Sequence, residues 1–258
     1  MGEIFDRKLL RKNQCRFQRY FKEHDFLYHE ASSYMLHDIE AIKRDFECVL
    51  QISAKDQSII DYISRIKNVK QKFCSSMNNF KHTNIVLDDE LLPFKDESFD
   101  LVISNLNIHH INKVPEFLLQ THSVLKKGGF FIASFFGENN LVDLKRAVFE
   151  AENETLDGVS ARFMPVIDIK SAANLLQSAG FRDPVASLDV VNTEYSNPKK
   201  ILTDIKLMGQ GNILLKRSKK FVNKKFLDEI YNKYAKISKI SDNSFNVKYE
   251  IIIVSGWK

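Results

Sequence analysis

Between Cys48 and Phe136, runs of strand length alternate with stretches of helical period, and this alternation restricts the possible folds more than any other feature. CVLQI (48–52), TNIVL (83–87), FDLVISNL (99–106) and FFIASFF (130–136) read as strands. Ile59, Ile60, Ile63 and Ile66 fall on one face of a helix. FDLVISNL is the nearly continuous apolar run expected of a strand buried on both faces. A helix over about 114–126 is expected to stop at KKGG, read as a C-cap. Strand, helix and strand in this order predict a doubly wound, mostly parallel sheet with right-handed crossovers, an α/β Rossmann-like class.

The flanks are more helical. Residues 5–44 contain neither glycine nor proline and carry aromatics at turn spacing (Phe17, Tyr20, Phe21, Phe26, Tyr28, Tyr34), which predicts a helical segment covering a sheet edge or cleft. Helices are expected at 139–152, 168–179, 198–208 and 223–236, with strands at 184–191 and 245–258. At 258 residues the chain has material for one large core. The expected organisation is a single domain over 1–258: a helical N-terminal segment (1–44), a cofactor-side core (45–137) and a C-terminal half with helical insertions over the cleft (138–258).

Several function classes recede. No apolar run approaches the roughly 20 residues of a membrane span, and the N-terminus has neither the apolar stretch of a secretory signal nor the bias of a transit peptide. A bacterial cytoplasm, or the mitochondrial matrix in a eukaryote, is the expected location. Cys15, Cys48 and Cys74 lack paired spacing, so neither a metal site nor a disulfide framework is expected. The net charge of +5 and the basic run LLKRSKKFVNKK (214–225) read as solvating surface rather than a nucleic-acid footprint.

The most specific stretch is LDDELLPFKDESFDLVISNLNIHHIN (87–112), followed by LKKGGFFIASFF (125–136). It resembles the centre of class I S-adenosylmethionine-dependent methyltransferases of the type-11 kind, with Lys127 where that family has proline. FDRKLLRK (5–12), FGENNLVDLKRAVFEAENE (136–154), DIKLMGQGN (204–212) and YEIIIVSGWK (249–258) resemble a narrower family, the arginine hydroxylases that assist complex I assembly, with their alphaproteobacterial relatives. The malonyl-carrier-protein methyltransferases of biotin synthesis are more distantly similar. The narrower resemblance implies S-adenosylmethionine binding and action on an arginine of a complex I subunit.

The cofactor anchors depart from that pattern. The family's Asp-Leu-Gly-Cys-Gly-x-Gly loop falls on Gln51 to Gln57, where Ser53, Lys55 and Gln57 replace the glycines and Gln51 the leading acid. Glycines in such a loop allow barred backbone angles and let the main chain approach the ligand. Lys55 instead brings a cationic stem towards a sulfonium cofactor. The acid that would grip the ribose hydroxyls aligns with Ser75, which supplies no charge. Asp88, with Asp89 beside it, matches the residue facing the adenine amino group, and Asn105, His109 and His110 would line the methyl-donor end. Asp88 and Asp89 are equally readable as turn-formers, Asn105 as a cap and the His pair as a satisfied edge of the fold. S-adenosylmethionine is therefore the implied cofactor, with binding expected to be weak or lost.

Asp143, Glu152 and Glu154 could suggest a metal cluster, but Glu150 and Glu154 share a helical face and read as solvated charge. Three functions stay open: an active S-adenosylmethionine-dependent methyltransferase or arginine hydroxylase, a non-catalytic assembly or binding protein for a complex I subunit or assembly intermediate, and a carrier-protein methyltransferase.

Overall fold

The structure, a computed structural model, describes residues 2–155, 158–219, 222–241 and 244–258. In chain order the elements begin with α1 (Arg7–Phe17), a 3-10 helix (Gln18–Glu23), α2 (Phe26–Ala41), β1 (Cys48–Ile52), α3 (Ser58–Ile66), β2 (Gln71–Ser76) and β3 (Ile85–Val86). They continue with β4 (Phe99–Ser104), a 3-10 turn (Ile108–His110), α4 (Val114–Val124), β5 (Leu125–Phe136), α5 (Val142–Thr155) and α6 (Ile169–Ser178). The last are β6 (Arg182–Tyr195), α7 (Pro198–Leu207), α8 (Lys224–Ser238), β7 (Lys239–Ser241) and β8 (Ser244–Trp257). The chain packs as two compact units, each built from separate segments: Asp25–Gly137, Val166–Asp189 and Ile251–Lys258 form a sheet unit, and Met1–His24, Glu138–Pro165 and Val190–Glu250 a helix-rich one.

In the sheet the strand order is β3-β2-β1-β4-β5-β8-β6. Strands β1 to β5 pair in parallel and β8 runs antiparallel to β5. This is the doubly wound, mostly parallel arrangement that the alternating pattern predicts. β4 is buried along its whole length, as its apolar run requires. Leu50, Val102, Phe117, Phe131, Leu176 and Val254 lie in one buried core. The order reverses between β1 and β4, the switch point beside which open α/β sheets bind ligands.

KKGG does not cap a helix. α4 ends at Val124, and Leu125–Phe136 is one strand that includes both glycines. Gly128 sits at φ +71 and donates its N–H to the Lys258 carbonyl at 2.8 Å. A Cβ on Gly129 would come within 2.8 Å of the Lys126 carbonyl oxygen. The pair marks an irregularity where the β4–β5 register shifts between Phe99 and Leu101. Glycine there serves close strand approach, not termination.

SAGF does end a helix. After α6, Gly180 takes φ +94, its N–H donates to the Gln177 carbonyl and the Phe181 N–H to the Leu176 carbonyl, the two bonds of a Schellman motif. Phe181 then packs edge-on against His122 of α4, with ring centroids 5.1 Å apart. Burial, followed by the nearby Lys258 charge, holds the His122 imidazole below its ordinary value of 6.5. The unfolded chain takes up that proton more readily than the folded one. The His122 contribution to stability is therefore present above pH 6.5 and is lost as pH falls through the lower, folded value. Melting temperatures measured from pH 7.5 down to 5 should fall, and His122→Phe should flatten that slope; an equal slope in both proteins would refute the assignment.

In the helix-rich unit, Asp6 caps α1 by accepting the Leu9 N–H at 2.9 Å, and Arg217 lies 3.2 Å from its carboxylate. The Leu9 bond, aided by Arg217, holds the Asp6 carboxyl below its usual value. The hydroxyls of Tyr195 and Tyr249 meet at 3.2 Å, and burial pushes both phenols up. His24 Nδ1 lies 2.7 Å from Asp204. Glu152 corrects the reading of the acids on α5 as solvated charge. It is 2% exposed, 2.6 Å from Arg162 Nε, and accepts the Ser160 N–H. Glu150 pairs with Arg146 and Glu154 with Lys233. Among the described residues, no group of three or more His, Cys, Asp or Glu could hold a metal ion. Of the basic run at 214–225, Lys220 and Phe221 lie outside the described residues.

Candidate functional site

β1 delivers Gln51 and Ile52, both buried, to the carboxyl end of the sheet. The chain then turns at Ser53, whose φ is +53. This left-handed conformation strains a side chain and suits glycine, so serine stands in a backbone shape that glycine would hold freely. The Ala54 N–H donates to the Ser75 carbonyl at 2.8 Å, clipping the turn to the end of β2. His82 Nε2 lies 2.9 Å from the Ala54 carbonyl, and its ring stacks on Phe80 at 5.5 Å. Asp56 accepts both the N–H and the hydroxyl of Ser58 at the start of α3. Lys55, between these contacts, is half-buried.

Gln51, Ser53 and Ser75 themselves bring no charge to the ends of β1 and β2. Ser75 is fully buried, and its hydroxyl points back at the Gln51 carbonyl at 3.4 Å. Gln51 Oε1 and Ser53 Oγ are buried without hydrogen-bond partners among the described residues. Leaving such atoms unpaired costs about 1–3 kcal/mol each. Burial pushes the neighbouring Cys74 thiol up to about 11, which leaves it protonated and a poor nucleophile near neutral pH.

Across the switch point the polar groups are tied into the fold. Asn105 donates to the Tyr28 carbonyl of α2 at 2.9 Å and accepts the Ser134 hydroxyl at 2.7 Å. The Phe136 N–H reaches His109 Nδ1 at 3.4 Å. The His109 ring lies 4.9 Å from that of Phe136 and 4.3 Å from that of His110, both histidines being buried. Asp88 is exposed and accepts the Glu90 N–H at 3.1 Å, a turn-forming contact. Asp89 is fully buried, 3.3 Å from Asn107 Nδ2.

Gln51, Ser53 and Ser75 thus come together at the ends of β1 and β2, with Lys55 in the same turn. Asn105 and His109 lie beyond the end of β4, each bonded to its own neighbours. The sequence gives no sign of the contacts that His82 makes with Ala54 or of the Tyr28 carbonyl's bond to Asn105. No motif marks His82, and Tyr28 contributes through its main-chain carbonyl, which residue identity does not report.

The methyltransferase-domain family model matches residues 60–133. Mitochondrial arginine-hydroxylase of Homo sapiens is 29% identical over 268 residues, covering 99% of this chain and 77% of its own length. Malonyl-[acyl-carrier protein] O-methyltransferase of Gallionella capsiferriformans is 26% identical over 174 residues, 67% of this chain and 57% of its own. Among solved structures, the YcgJ protein of Bacillus subtilis superposes with a TM-score of 0.57 at 14% identity, covering 89% of this chain and 98% of its own. A SAM dependent methyltransferase of Archaeoglobus fulgidus gives 0.50 at 14% identity, over 93% and 99% respectively. The fold is therefore the Rossmann-like one seen in methyltransferases, residues 60–133 match the methyltransferase-domain family model, and the chain is similar along almost its whole length to the mitochondrial arginine-hydroxylases.

Proposed function

We propose that this protein is a methyltransferase-fold relative of the arginine-hydroxylases in which S-adenosylmethionine binding is weak or lost, and that it works by binding a protein partner. A complex I subunit or assembly intermediate is the partner that the family resemblance suggests. The observation that carries the reading is the chemistry at the ends of β1 and β2. Gln51 and Ser75 stand where carboxylates would hold the cofactor, and Ser75 is buried against the β1 backbone. A cofactor with a sulfonium charge and a ribose diol finds no carboxylate at either position, and Lys55 adds like charge to the turn. Asp88, the remaining anchor, is exposed and caps its own turn. These residues do not fit the cofactor, so no catalytic step is assigned to them.

Calorimetric titration with S-adenosylmethionine and S-adenosylhomocysteine should show no binding tighter than about millimolar, roughly −4 kcal/mol. A micromolar dissociation constant would return the protein to the enzymes. Arginine hydroxylation, methylation of a protein and methylation of a carrier-bound malonyl group would then be the activities to assay.

A further inference from the structure

β6 lies at the end of the strand order, and among the described residues no strand lies beyond it. A long free edge is a template for another strand. Proteins usually blunt it with lysine, proline or a bulge. Here the protection stops early: Asp183 at φ +47 and Pro184 disturb the first residues, but from Val185 to Tyr195 there is no proline, lysine or arginine. A chain with 38 Lys and Arg among its 258 residues had ample means to charge that edge. The exposed side chains of its middle are apolar instead, with Val185 57%, Leu188 41% and Val190 47% exposed, and Asp183, Asn192 and Glu194 are exposed towards its ends.

We propose that the free edge of β6 pairs with the same edge of a second copy of this chain, antiparallel about a two-fold axis at Leu188. Exposure along β6 picks out residues 188, 190, 192 and 194 and, after a one-residue slip, 185 and 183, which puts all of them on one face. Antiparallel pairing about Leu188 sets the two Leu188 side chains together and each Val190 against Val185 of the second copy. The charges agree with that register. Asp189 falls opposite the slip at Ala186 and Ser187 and Asp183 opposite Asn192, so no like charges face one another. A strand whose apolar middle meets itself and whose charges avoid one another in reverse fits an isologous dimer.

Sedimentation velocity on the full chain from micromolar to about 100 µM should show a monomer–dimer equilibrium. Leu188→Lys with Val190→Lys should weaken self-association by ~100-fold or more, because the two-fold sets the new charge at 188 against its own copy and the charge at 190 against the apolar Val185 of the second copy. Both positions are exposed, so the melting temperature at a concentration where the parent is monomeric should not change. In a Cys15→Ser background, Leu188→Cys should cross-link between copies with a short bismaleimide and Glu194→Cys should not. A wild-type chain that stays monomeric throughout, a dimer that survives the double lysine variant, or a cross-link at 194 as strong as that at 188 would each overturn the proposal. The first of these would leave the edge to a different chain.

Discussion

Replacing Gln51→Asp, Ser53→Gly, Lys55→Gly, Gln57→Gly and Ser75→Asp together should raise affinity for S-adenosylmethionine at least ~10-fold above the parent, a gain of about 1.4 kcal/mol or more. Lys55→Gly should contribute most, because it removes both the stem and the like charge. The structure separates the stability costs of these changes. Ser53 already sits at φ +53, so glycine relieves strain there and should raise apo stability by up to about 1 kcal/mol. Gln57 sits at φ −100, where any residue is at ease, so glycine should cost up to about 1 kcal/mol through the unfolded state. Ser75→Asp carries the risk, since the new carboxylate enters a fully buried position beside the Gln51 carbonyl. A four-residue variant that keeps Ser75 separates loop repair from ribose recognition. Calorimetry and thermal melts read both effects. A folded five-residue variant with no gain in binding would mean that the turn no longer follows a cofactor-binding path.

Arg162→Ala should lower unfolding free energy by about 3 kcal/mol, near the lower end of what removing one partner of a buried ion pair costs. Glu152 is 2% exposed and would be left with the Ser160 N–H, while Arg162 is 22% exposed, so water can partly replace it. The guanidinium also sits 4.6 Å from the Phe226 ring, and that contact is lost as well. Adding Glu152→Gln should recover part of the loss, because a neutral amide is cheaper to bury than an unpaired carboxylate. Urea denaturation of the two variants tests this. Equal stability of Arg162→Ala and the parent would mean that the pair is solvated after all.

The sheet was legible because its signal is local. Strands buried on both faces write themselves as apolar runs, and Ile59, Ile60 and Ile63 turn one helical face inwards as their spacing says. KKGG misled because a glycine pair has the same letters whether it ends a helix or lets two strands approach, and the difference lies in Phe99, roughly 30 residues upstream. Glu152 misled for a similar reason: Arg162 follows it by 10 residues, a separation that helix periodicity cannot register. At the site, the sequence shows directly that Ser53, Lys55, Gln57, Gln51 and Ser75 stand where the resembled family has glycines and acids. That Ser53 keeps a left-handed backbone, and that Asn105 is held by a main-chain carbonyl of α2, could not be read there, since neither leaves a mark in residue identity.

The placing of β8 between β5 and β6 sets an order of events in folding. Its register joins Phe136 to Ile251 and Phe130 to Trp257, so it closes a loop of more than 100 residues. Loop-closure entropy delays contacts of such separation relative to the nearby β1–β4 pairings. Until they form, β5 presents an open hydrogen-bonding edge and β6 has no inner neighbour. β8 is thus the keystone of the sheet, and until it docks the protein holds its most association-prone surface in the interior of what will become the finished fold.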